Sequence, residues 1–83
     1  MFYVVIEVSD SSIRYDRQVK KTLYAEHGIV EFWLVDLTEK AIEIYTQPRR
    51  GIYHNIQIFG QDEELQSNTV KNLTLKVNEV LGL

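Results

Sequence analysis

The 83-residue sequence contains no cysteine. That excludes a disulfide framework, a thiolate metal site and a cysteine nucleophile. It has a single proline, Pro48, and four glycines. No stretch reads as a linker, an internal repeat or a low-complexity tract, and no glycine-rich phosphate loop is present. The two histidines, His27 and His54, form no ligand-spaced pair, which argues against a zinc site. There is no excess of positive charge. Nine Lys and Arg stand against twelve Asp and Glu, a net charge of −3. This excludes a general nucleic-acid coat protein and leaves room only for a local basic patch. No apolar run is long enough to span a bilayer. The opening run lacks a basic segment before it and does not read as a signal peptide. The expectation is a cytoplasmic protein with no membrane partner.

What is present suits one small domain over residues 1–83. Hydrophobic residues make up 45%, and three Phe, five Tyr and one Trp favour a packed core with sheet. A chain of this size buries only roughly 60–65% of its extended surface. Residues 2–8, "FYVVIEV", read as a buried strand. "SDSS" at 9–12 is turn and cap chemistry, and a helix follows, from somewhere in 12–16 to about 27. Gly28 is placed to end it. Residues 29–35, "IVEFWLV", read as a central strand apolar on both faces. Residues 41–46 alternate and pair antiparallel with it. A turn over 47–51 surrounds Pro48. Residues 52–59 alternate again, with Ile52, Ile56 and Ile58 on one face. Residues 60–64 form an acidic turn, and the tail reads as an extended piece followed by a helical turn or two. The sum is a mixed sheet, parallel at its first pair, with a packed helix. The NLT triplet at 72–74 matches a glycosylation pattern by chance.

Glu7 shares a strand face with Val5 and so needs a cation, a donor or water. Asp16, Lys20 and Tyr24 lie on one helix stripe at four-residue spacing. If that stripe covers the strand's end, Lys20 approaches Glu7. A carboxylate beside a lysine suits a metal-assisted phosphodiester site. The plain alternative is a solvated Glu7, with Lys20 paired to Asp16 on the helix surface. Arg14, Arg17, Lys20 and Lys21 form a basic cluster that could meet phosphates or simply face solvent. Arg49 and Arg50 carry the same two readings. Trp33 and Tyr45 read as core or interface residues rather than a base-stacking platform.

The stretch from Val4 to Tyr45 resembles a bacterial restriction-endonuclease-like family of the PD-(D/E)XK nuclease superfamily, often described only as domains of unknown function. The matching residues are Glu7-Val8, the serine-rich turn, Asp16 with Lys20, Tyr24, Gly28, "EFWLVD" at 31–36 and "EIY" at 43–45. The tail from Gly60 onward also resembles the family's C-terminal section. The resemblance implies a restriction endonuclease-like mixed β-sheet of the α+β class. It implies Mg²⁺ or Mn²⁺ held by acidic residues, with Glu7 as metal ligand and catalytic acid residue, and Lys20 supporting the attacking water. Under that reading the basic cluster offers Arg14, Arg17 and Lys21 as candidate phosphate contacts, with DNA as the candidate partner. Phe2-Tyr3 stand where the family often has "PD". The resemblance therefore implies the C-terminal half only, N-terminally truncated, with Asp10 or Asp16 as substitute acids. A non-catalytic dimeric binding module retaining the fold is the alternative. An exposed sheet edge then predicts a homodimer or higher homo-oligomer.

Overall fold

The computed structural model describes residues 4–9, 14–67, 69–70 and 72–83, the side chains of 14–17 excepted. The elements are β1 (Val4–Ser9), α1 (Arg14–Glu26), β2 (Glu31–Asp36), β3 (Ala41–Arg49), β4 (Ile52–Phe59), β5 (Glu64–Gln66), β6 (Thr74–Lys76) and α2 (Val77–Leu81). A four-stranded sheet runs in the order β1-β2-β3-β4, and β5 and β6 form a separate pair. β1 and β2 are parallel, as expected for strands joined through a helix. The β2–β3 and β3–β4 pairs are antiparallel.

All six residues of β2 are buried, which is why its sequence is apolar on both faces. On one face, Phe32 and Leu34 pack with Ala25, Tyr45 and Tyr53, and Val5 and Tyr24 lean against them. This is the face that α1 covers. On the other, Trp33, Val35, Ile42 and Ile44 join Leu65 and Val77, so β5, β6 and α2 close the second side.

Helix α1 ends as its sequence predicts. Gly28 is left-handed at φ 72°. Its N–H donates to the Ala25 carbonyl at 3.1 Å, and that of Ile29 to the Tyr24 carbonyl at 3.0 Å. Those two bonds satisfy carbonyls the helix leaves open.

Two boundaries move by two residues or more from expectation. β2 starts at Glu31 rather than at 29, because the chain is still leaving the helix cap at Ile29. β3 runs on through Pro48 to Arg49. The last β2–β3 partners are Glu31 and Thr46, so Pro48 has only β4 beside it, where a missing N–H is tolerated. The expected five-residue turn thus shrinks to Arg50-Gly51, at φ 54° and 74°, the two positive angles of a type I′ hairpin. Ile52, Ile56 and Ile58 are not enclosed by the core, although Ile56 and Ile58 pair with Tyr45 and Glu43 on the face that α1 covers. All three are exposed, on an edge strand whose buried residue is Tyr53. Phe2 and Tyr3, expected to open β1, lie outside the described residues. Among the described residues no helix is long and apolar enough to cross a membrane.

Candidate functional site

Helix α1, which joins the parallel strands β1 and β2, packs against β3 and β4 and turns its Lys20–Tyr24 stripe toward Glu7 of β1. Glu7 sits two residues before the end of β1, in register with Leu34. Lys20 and Tyr24, one helical turn apart, reach the same carboxylate. The Tyr24 hydroxyl donates to Glu7 Oε1 at 2.5 Å, and Lys20 Nζ donates to Oε2 at 3.4 Å. Thirteen residues separate Lys20 from Glu7 in the chain. The Tyr24 ring stands edge-on to Phe32, centroids 5.0 Å apart, so β2 fixes the phenol that orients Glu7.

The side chains of Glu7 and Lys20 keep 28% and 40% of their exposure. The site is therefore anchored from inside and open from outside. The Tyr24 hydrogen bond holds the Glu7 carboxyl below its usual range. It and the Lys20 ammonium together outweigh the partial burial that pushes the other way. Glu7 is thus an ionised, held carboxylate and not a free rim residue.

Lys21 points elsewhere. Its ammonium lies 5.1 Å from the centre of the Tyr45 ring, and the Tyr45 hydroxyl donates to Glu43. Glu43 is level with Glu7 across the sheet, each pairing with Leu34 from opposite sides. Arg14 and Arg17 belong to α1, but their side chains, like that of Asp16 and all of Asp10, lie outside the described residues. Trp33 and Tyr45 are core residues, 1% and 3% exposed. His27 Nδ1 lies 2.9 Å from the Leu23 carbonyl at the end of α1, and His54 is exposed on β4.

The sequence did not single out Glu31, which is fully buried on the face away from α1. Its carboxylate accepts hydrogen bonds from Trp33 Nε1 at 2.6 Å, Ser67 Oγ at 2.7 Å and Thr69 Oγ1 at 3.2 Å. It ties Ser67 and Thr69 to the central strand and plays no part in the Glu7 group. The one local signal was a tryptophan two residues on, sharing its strand face. The hydroxyl partners, 36 and 38 residues away, left no local trace.

Mg²⁺ takes near-octahedral oxygen ligands, and a protein usually supplies one or two carboxylates beside water and substrate phosphate. Glu7 supplies one carboxylate, already engaged by Tyr24 and Lys20. Among the described residues no group of three His, Cys, Asp or Glu is placed to hold a metal ion. The described residues do not by themselves complete a site for Mg²⁺ or Mn²⁺, so no hydrolytic step through a metal is assigned to them.

No curated protein matches the chain. One family profile matches residues 2–78, and this corrects one expectation. The resemblance is not confined to a C-terminal half, because the match takes in almost the entire sequence. The profile is that of Uma2, described as "putative restriction endonuclease", and the chain belongs to that family.

Proposed function

We propose that the Glu7–Lys20–Tyr24 group is the centre of a phosphodiester-directed site with DNA as its substrate class, in an endonuclease-like protein of the PD-(D/E)XK kind. The observation that carries this reading is the convergence of a lysine and a tyrosine from the crossover helix on one ionised strand carboxylate, half open to solvent. The group lies toward the carboxyl end of a parallel strand, where open α/β units favour ligands. Lys20 supplies the positive charge that a phosphate needs. Tyr24 orients the carboxylate, and Glu7 offers an ionised oxygen to a divalent ion. Hydrolysis then requires acidic donors beyond the described residues, and Asp10 and Asp16 are the nearest in sequence.

A second reading, a non-catalytic dimeric module with the same fold, is favoured by a different observation. Ile6 and Val8 are 52% and 64% exposed on edge strand β1, on the face away from α1.

Supercoiled-plasmid nicking separates the two. With Mg²⁺ or Mn²⁺ the native protein nicks, while Glu7→Gln and Lys20→Met reduce the rate roughly 100-fold or more, the usual range for losing such a group. Nicking that persists in both variants comes from a contaminant and defeats the proposal. Absence of nicking in all three selects the binding module.

A further inference from the structure

The β3–β4 hairpin carries charge that the Glu7 site does not use. Arg49, Arg50 and His54 together line an open depression of about 390 Å³ at its tip. All three side chains are exposed, and neither arginine is ion-paired among the described residues. The Glu26 carboxylate also stands beside the tip, packed on Gly51. Two arginines against one glutamate leave the tip positive. The opposite end of β4 is mostly acidic, with Asp62, Glu63 and Glu64 around one pocket that also holds Lys76. A chain of net charge −3 thus places at one end of its sheet two arginines that have no ion-pair partner among the described residues.

A second depression connects this tip to the helix. It is lined by Lys21 and Thr22 of α1 and by Gly51, Ile52, Tyr53 and Ile56. The two depressions take adjacent residues of one turn, Arg50 and Gly51, so Lys21 and the hairpin arginines border the same turn. Glu43 is level with Glu7, and Arg49 is six residues further along β3, about 20 Å at the usual strand rise. That span matches about six phosphates of one DNA strand.

We infer that the hairpin tip, through Arg49, Arg50 and His54, is a second contact for the nucleic-acid phosphate backbone, distal to the Glu7 site. The inference rests on the nucleic-acid reading above. Arg50 makes it testable without damaging the fold. Its left-handed position, directly before Gly51, is one that asparagine fills at lower cost. Arg50→Asn should therefore leave thermal stability unchanged or raise it, while binding weakens.

The experiment is fluorescence anisotropy of a labelled DNA duplex with the native protein, Arg50→Asn, and Arg49→Gln with Arg50→Asn, across salt. Each lost contact should make the slope of log affinity against log salt shallower by about 0.9. Between about 50 and about 200 mM salt, that is roughly a threefold difference per contact and about tenfold for the pair. Unchanged slopes in variants that melt like the native protein overturn the inference. So does a tip whose amide NMR signals shift with inorganic phosphate but not with duplex, which marks a small-anion site. Glu7-dependent nicking with unchanged slopes refutes only the hairpin contact. Hairpin-dependent binding without nicking refutes only the hydrolytic proposal.

Discussion

Glu31 places a carboxylate where water does not reach, and three side-chain donors make that tolerable. Deleting it leaves an indole N–H and two hydroxyls to find new partners inside a packed core. A buried donor left unsatisfied costs about 1–3 kcal/mol. Glu31→Ala should therefore lose roughly 3 kcal/mol, a large share of what a domain this size possesses. Glu31→Gln, which keeps an acceptor oxygen, should lose less. Urea unfolding followed by Trp33 emission measures both, since Trp33 is the sole tryptophan. A loss under about 1 kcal/mol for the alanine variant would show that holding Ser67 and Thr69 does not depend on this carboxylate. Glu7 and Glu31 look alike in sequence, each an acid beside the apolar residues of a strand. Only the partners distinguish them: a helix stripe at regular spacing for Glu7, which the sequence exposes, and a remote loop for Glu31, which it hides.

The elements were read best where a residue type dictates backbone conformation or where apolar spacing is long. Gly28 ended α1 where expected, and the two-sided apolar run of β2 was correctly read as a covered central strand. The reading failed at Pro48, because tolerance of proline in a strand depends on whether a neighbour exists on its N–H side, a tertiary fact. It did not mark Ile52, Ile56 and Ile58 as surface residues, since alternation groups residues on one face without saying how far toward the sheet edge that face is covered. Two glycines carry an element-level prediction. Gly28 and Gly51 both have positive φ, where a Cβ costs about 1–2 kcal/mol. At Gly28 nothing lies within 4 Å of an added Cβ, whereas at Gly51 the Glu26 Cγ would lie 3.1 Å away. Gly28→Ala should lower Tm by about 4–8 °C, the usual effect of 1 kcal/mol in so small a domain. Gly51→Ala should lower it at least as far, because Glu26 must also move. A larger loss at Gly28 than at Gly51 would contradict the packing of α1 against the hairpin.

At the scale of the molecule, β1 and β4 are the edge strands of the sheet among the described residues, and both carry exposed isoleucine or valine. Open edges and apolar strand faces invite pairing between copies. A homodimer through β1 is the expected outcome in sedimentation equilibrium, and Val8→Lys, which puts a charge on that face, should shift it toward monomer. A compact monomer at all concentrations would contradict this arrangement. The overall α+β plan was readable because strand and helix patterns are local. The site was readable only in part, since its acid and lysine are spaced motifs, whereas the role of Tyr24 depends on a Phe32 contact that no spacing encodes.

All of this turns on Glu7 being held and ionised rather than merely solvated. A carboxyl lowered by folding contributes stability above its unfolded value, and that contribution is lost as pH falls through the folded value. The direct measurement is the NMR titration of the Glu7 side-chain carboxyl in the native protein, Tyr24→Phe and Lys20→Met. The expected result is a native value below the ordinary 4.5 that rises in both variants, and further in Tyr24→Phe, because the phenol bond is the largest influence on it. A Glu7 that titrates at or above 4.5, indifferent to Tyr24, would contradict the account and return Glu7 to a solvated strand end.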